Sequence, residues 1–189
     1  MRILITGTPG AGKSEIAKEL GKLTGWEVIL ISDAAEAAHA VKTSRNHEKI
    51  VSLPKLYAYL NPLLLKKDNV IFEGHLGCEM PCPADLVVVV RTNPRELEKR
   101  MRARGYYKEK IDENIMAELL DYCYQLAEKN YDCKVVELDT TGRSAQESAR
   151  RIYDYINGEI SALDDVDWEA YLEERTGKPS ASQKKGRGE

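Results

Sequence analysis

Residues Gly7 to Ser14 read Gly-Thr-Pro-Gly-Ala-Gly-Lys-Ser directly behind the apolar run Ile3-Leu4-Ile5. An unbroken Gly-x-x-x-x-Gly-Lys-Ser between a strand and a helix describes a phosphate cradle. Glycines without a Cβ let the loop turn its N–H groups inward around a phosphate, and the helix that follows adds its positive N-terminal end. Lys13 then meets the β- and γ-phosphates of a nucleoside triphosphate, and the Ser14 hydroxyl ligates Mg²⁺. The bland alternative is a glycine-rich turn with an incidental Lys-Ser; strand before and helix after argue against it.

A chain of 189 residues fits one domain that buries a core without staples. With a net charge of −3 and 31% charged residues, a broad nucleic-acid surface is not expected, and any RNA contact must be local. Cys78, Cys82, Cys123 and Cys133 include no C-x-x-C pair, and the chain opens on a strand rather than a signal peptide, so a reducing, cytoplasmic location is expected. Cys78-x3-Cys82 beside His75 lacks a fourth ligand for a closed zinc site, which leaves unligated thiols as the expectation. No apolar run approaches the roughly 20 residues that cross a bilayer, so no membrane association is expected.

Five short β-branched runs, at 2–6, 27–31, 69–73, 85–91 and 134–138, alternate with helical patterns. That alternation predicts an α/β fold with a parallel sheet covered on both faces. Asn93-Pro94-Arg95-Glu96 and the capping box Ser144-x-x-Glu147 start two helices, the second ending at Asn157-Gly158. Ile111, Ile115, Leu119, Cys123 and Leu126 predict one amphipathic helix over 112–129, packed on the sheet, with Cys and Met as filler. Residues 1–157 form the expected core domain. The acidic stretch 158–176, with Trp168, Tyr171 and Leu172, is read as a docked helical extension, and 177–189 as a flexible basic tail.

The third strand ends Phe72-Glu73-Gly74-His75 at the carboxyl edge, where Glu73 is placed to hold a water of Mg²⁺ and His75 to position or deprotonate a water. A solvent carboxylate and a backbone-bonded loop histidine are the bland readings. Arg100 and Arg104, one helical turn apart, read as a clamp on transferring phosphates, and Gly105-Tyr106 as part of a short lid over 100–110; a solvated helix face is the alternative. Residues 33–67 are too long for one crossover helix and are read as the acceptor-binding segment, without a strand, with Asp33 and Arg45 as candidate contacts. A helix-capping carboxylate explains Asp33 equally well.

The loop Gly7–Ser14, Glu73-Gly74-His75 with Gly77-Cys78, Arg100-x3-Arg104-Gly105-Tyr106, the run 109–115 and Asp139-Thr-Thr-Gly142-Arg143 together resemble the CINAP-type adenylate kinases, over residues 1 to about 157. The resemblance implies a P-loop, nucleoside monophosphate kinase-like fold with five parallel strands in the order 2-3-1-4-5. It implies ATP and Mg²⁺ as cofactors, AMP as acceptor, adenylate kinase and ATPase activities, and a role in small ribosomal subunit maturation. A platform ribosomal protein is the implied partner. Residue by residue, Gly10, Ala11, Gly12, Lys13 and Ser14 would hold ATP and Mg²⁺, Glu73 the metal water, His75 the hydrolytic step, and Arg100 and Arg104 the transferring phosphoryl. Thr141, Gly142 and Arg143 would lie against adenine. Glu73 stands where many relatives have Asp, and residues 34–54 match the family only loosely, with Ser52 at an expected acidic position. An ATPase switch with little AMP kinase activity, and a kinase for another nucleoside monophosphate, are the competing readings.

Overall fold

The central strand β1 (Arg2–Gly7) carries alternating side chains that build two separate cores, one on each face of the sheet. The computed structural model describes residues 1–44 and 49–176. Their elements follow in the order α1 (Lys13–Thr24), β2 (Glu27–Leu30), α2 (Ile31–Ala37), β3 (Val41–Thr43), β4 (Lys49–Val51), α3 (Leu53–Leu65) and β5 (Val70–Glu73). A 3₁₀ turn at His75–Glu79 leads to β6 (Leu86–Arg91), α4 (Pro94–Ala103), α5 (Lys108–Leu119), α6 (Tyr122–Asn130), β7 (Lys134–Asp139), α7 (Ala145–Ile156) and α8 (Glu169–Thr176).

Five strands pair in parallel in the spatial order β2-β5-β1-β6-β7. Counting only these core strands, that is the expected order 2-3-1-4-5. Leu4, Phe72, Val87 and Val89 pack one face against Leu56 and Leu60 of α3 and Cys123 and Ala127 of α6. Ile3, Ile5, Ile71, Val88 and Val90 pack the other against Ile16 and Leu20 of α1 and Ile152 of α7. With both faces covered, the strands read as continuous apolar runs rather than alternating ones.

Both expected N-caps form. The Asn93 side chain accepts from the Arg95 N–H, and Ser144 and Glu147 close a reciprocal capping box. Two expectations are corrected. The acceptor segment does contain strands, because β3 and β4 make a small antiparallel hairpin. The single helix over 112–129 is two helices, broken at Asp121, which takes a left-handed φ of 53°. The carboxylate of Asp121 is held 2.5 Å from the Arg91 guanidinium, so tertiary ion pairing overrides the continuous apolar spacing. Ile111 and Ile115 consequently pack on Leu97 and Met101 of α4, and of the two helices only α6 joins the apolar core on the sheet.

Beyond α7, Asp164 forms an antiparallel bridge with Glu137 of the edge strand β7, and its carboxylate accepts from Arg143 and Arg151. Trp168 then reaches back to Glu118, its indole N–H 3.2 Å from the carboxylate. The basic tail expected at 177–189 lies outside the described residues. No helix among the described residues is long and apolar enough to cross a membrane.

Candidate active site

The loop between β1 and α1 is shaped by glycines with positive φ at Gly7, Gly10 and Gly12. At Gly7 a Cβ would sit 2.2 Å from the Val90 carbonyl oxygen, so only glycine lets β1 turn beside β6 there. Lys13 is buried at the start of α1 and its ammonium donates to the Thr8 carbonyl oxygen at 3.0 Å, within its own loop. Burial pushes that ammonium below its ordinary range, against the opposing pull of the Glu73 carboxylate.

Ser14 and Glu73, both read from the sequence as Mg²⁺-holding residues, stand side by side. The hydroxyl donates to Glu73 Oε1 at 2.9 Å. The pair offers hard oxygen donors at the end of the phosphate loop, which suits Mg²⁺. His75 lies at the same edge, with Nδ1 3.2 Å from the Gly7 carbonyl oxygen and its ring stacked near Tyr122. Burial alone would lower the imidazole pKa, but the contacts with Cys123 and the Gly7 carbonyl outweigh it and the net direction is up.

Three cavities meet at the loop. The first, about 440 Å³, is lined by Lys13, Ser14, Glu73 and His75 on one side and by Ser32, Glu36 and Lys49 on the other. The second, about 280 Å³, lies across the loop between Gly10–Gly12, Arg100, Arg104, Thr140 and Arg143. The third, about 340 Å³, joins them through Lys13, Ser14, Arg104 and Tyr106. Two nucleoside-sized spaces thus open on either side of one phosphate cradle.

The expected arginine clamp separates into two roles. Arg104 lines both the second and third cavities, where phosphates would lie. Arg100 lines the second cavity beside it, with its guanidinium already engaged: it donates to the carbonyl oxygens of Ala11 at 3.2 Å and Thr140 at 2.9 Å and pairs with Glu96. It braces the phosphate loop against the ends of β6 and β7.

On the nucleoside side, Arg143 lines the second cavity but Thr141 does not; its hydroxyl donates to Asp139 at 2.6 Å, and Thr140 takes the wall position instead. Gly142 carries the turn with φ 67°. On the acceptor side Asp33 stands exposed in the first turn of α2, accepting from Ser32, off the cavity wall and not at the N-cap, which is Leu30. Glu36, paired with Lys49 at 2.9 Å, occupies the wall that Asp33 was expected to supply. Arg45 lies outside the described residues.

A buried ion network behind the loop gave no sequence signal. Arg91, 2% exposed, donates to Glu118 at 2.7 Å and also pairs with Asp121 and Glu137. Glu118 in turn accepts from the Thr8 hydroxyl at 2.6 Å, so the phosphate loop is tied to α5 through a carboxylate. The sulfur chemistry also differs from the Cys78/Cys82 pairing considered from the sequence, because Cys123 of α6, rather than Cys82, comes beside His75.

Among solved structures, the fold resembles the YorR protein of Bacillus subtilis, solved in complex with phosphorylated GDP, at a TM-score of 0.59 and 21% identity, covering 84% of this chain and 97% of that one. It also resembles shikimate kinase from Acinetobacter baumannii, at a TM-score of 0.58 and 16% identity, covering 84% and 93%. Both likenesses place the chain in the P-loop kinase fold. A protein of Pyrococcus furiosus named "Putative adenylate kinase" is 37% identical over 175 residues, covering 92% of this chain and 94% of its own. One of the same name from Methanocaldococcus jannaschii is 34% identical over 171 residues, covering 89% and 93%. With residues 3–121 matching the family model described as "AAA domain" and these relatives aligned along nearly their whole length, the chain belongs to the family of archaeal proteins named "Putative adenylate kinase".

Proposed function

We propose that the chain transfers the γ-phosphoryl group of ATP to AMP, giving two ADP. The observation that carries this reading is the pair of cavities on opposite sides of the phosphate loop, joined through Lys13, Ser14 and Arg104. A hydrolase needs room for one nucleotide and a water; a transferase needs two substrates aligned at one phosphoryl group. The names of the relatives support the acceptor assignment.

In this reading ATP lies with its base against Thr140 and Arg143 and its phosphates in the loop, while AMP occupies the space walled by Ser32, Glu36 and Lys49. Lys13 leaves the Thr8 carbonyl for the phosphates, whose negative charge opposes the lowering that burial imposes on its ammonium. Arg104 and Tyr106 close over the phosphate path as a short lid. Mg²⁺, held by Ser14 and through water by Glu73, supplies charge neutralisation on the phosphates when bound. Catalysis is positioning and electrostatics, with no covalent intermediate on the protein.

A second reading is favoured by His75, whose ring stands beside the phosphate loop at Gly7. There it could orient a water for hydrolysis, making the chain an ATPase switch for a small-subunit ribosomal protein, as the resemblance to the CINAP-type adenylate kinases implies. Turnover of Mg²⁺-ATP with and without AMP, resolving ADP from free phosphate, separates the two. Stoichiometric ADP from AMP, well above phosphate release and abolished by Lys13→Met, is the expected result. Phosphate release alone, whichever of AMP, CMP, UMP or GMP is added, would replace the transferase reading with the switch.

A further inference from the structure

Behind the phosphate loop three soft donors converge that phosphoryl transfer does not use together. His75 opens the 3₁₀ turn, Cys78 lies one turn on and fully buried, and Cys123 enters from the first turn of α6, also buried. One ring nitrogen of His75, Sγ of Cys78 and Sγ of Cys123 all lie within 4.8 Å of one another, and Sγ of Cys123 stands 3.5 Å from Nδ1. A tetrahedral zinc ion with Zn–S near 2.3 Å and Zn–N near 2.0 Å has an N···S edge of roughly 3.5 Å. We propose that His75, Cys78 and Cys123 form a site for a thiophilic divalent cation of the Zn²⁺ class, with a water in the fourth position.

The donor set distinguishes this site from the neighbouring oxygen pair. Ser14 and Glu73 offer hard oxygens suited to Mg²⁺, whereas one imidazole and two thiols select Zn²⁺ over Mg²⁺. The scaffold holds its shape without the ion: the Thr6 hydroxyl donates to the Gly74 carbonyl at 3.0 Å, Asn130 donates to the Cys78 carbonyl at 2.8 Å, and the Tyr131 hydroxyl donates to the Gly77 carbonyl at 2.7 Å. Both ends of the turn and α6 are therefore fixed before a ligand arrives. Glu79 stands 3.9 Å from Nε2 of His75, where a carboxylate can take the remaining ring N–H once Nδ1 is a ligand.

Ligation has a consequence for the loop. Nδ1 now faces the Gly7 carbonyl oxygen, a contact that requires an N–H there; a metal on Nδ1 removes that hydrogen and the contact with it. Occupancy therefore withdraws the imidazole from the phosphate loop, so Zn²⁺ should suppress any water activation by His75. This effect rests on the hydrolytic role proposed above, while the site itself does not.

The test is Co²⁺ titration of the full chain under a phosphine reductant, read by absorption. One equivalent giving thiolate-to-cobalt charge transfer and tetrahedral d–d bands, displaced by Zn²⁺ and not by Mg²⁺, is expected. Cys78→Ser and Cys123→Ser should each weaken binding roughly 100-fold or more, whereas Cys133→Ser should leave it unchanged. A spectrum without sulfur bands, or bands that survive both substitutions, overturns the site. Because Cys78 and Cys123 are core residues, the unmutated chain supplies a second readout: Zn²⁺ should slow alkylation of these two cysteines and not of Cys133, mapped by mass spectrometry. Uniform alkylation with and without Zn²⁺ would overturn the proposal irrespective of any effect on nucleotide turnover.

Discussion

The Ser14 hydroxyl donates to the Glu73 carboxylate at 2.9 Å, joining the first turn of α1 to the carboxyl end of β5. Two residues 59 positions apart thereby present oxygen donors to one point at the end of the phosphate loop. If both act through one ion, removing either should raise the Mg²⁺ concentration needed for half-maximal turnover, on the order of tenfold or more. Ser14→Ala and Glu73→Gln should also combine to much less than the product of their separate effects. A Mg²⁺ titration of the two single variants and the double variant checks this. Independent, multiplicative losses would show that the two residues act on different groups.

Arg91 and Glu118 carry the largest stability effect expected outside the apolar core. Both side chains are at most 2% exposed, and Glu118 also receives the Thr8 hydroxyl and the Trp168 indole. Arg91→Met leaves the Glu118 charge buried against an apolar side chain, at a cost of about 3–5 kcal/mol. Adding Glu118→Gln to Arg91→Met should recover part of that loss, because the orphaned charge is gone. Urea unfolding of the two variants measures it, and salt should change the result little because the pair is shielded from solvent.

Gly7 and Gly25 separate two causes of glycine dependence. Both have positive φ, 138° and 72°, but a Cβ at Gly7 meets the Val90 carbonyl oxygen at 2.2 Å and at Gly25 meets nothing within 4 Å. Gly25→Ala carries only the left-handed strain, about 1 kcal/mol. Gly7→Ala adds a backbone clash between β1 and β6 and should cost about 3 kcal/mol or more. Denaturation midpoints of the two variants, with mant-labelled nucleotide binding on the folded fraction, test the distinction.

How far the chain could be read without coordinates depended on whether a signal was local. The buried strands announced themselves because a strand covered on both faces must be apolar throughout, as Val87–Val90 is. The caps at Asn93 and Ser144 and the loop at Gly7–Ser14 were visible because each is satisfied within a few residues. The hairpin of β3 and β4 was not, since each strand has three residues, mostly exposed, too few for a period to show. The break at Asp121 answers to Arg91, 30 positions earlier, and no spacing rule within the helix contains that information. The same holds for Arg100, where sequence offers a guanidinium on a helix and only the fold reveals that the Ala11 and Thr140 carbonyls claim it. Cys123 approaches His75 across 48 positions, which is why a search by Cys spacing pointed to Cys82.

Asp85 gives the fold a titratable clasp at the amino ends of two neighbouring strands. Its carboxylate accepts from the Arg2 N–H at 2.6 Å and pairs with the Arg2 guanidinium at 2.9 Å, just before β6 where that strand aligns with β1. The Arg2 contact holds the Asp85 carboxyl below its ordinary value of 3.8, with burial opposing. A folded-state pKa below the unfolded one stabilises the chain above the unfolded value, and that contribution is lost as pH falls through 3.8 and below. Because the Asp85 side chain is 40% exposed, solvent screening limits the pair to about 1 kcal/mol or less. Asp85→Asn should therefore lower the melting temperature slightly at neutral pH. The gap to the unmodified chain should close as pH is taken below 4, and added salt should narrow it at neutral pH. A gap that persisted at low pH would mean that the Asp85 contribution comes from packing around the β1–β6 junction rather than from its charge.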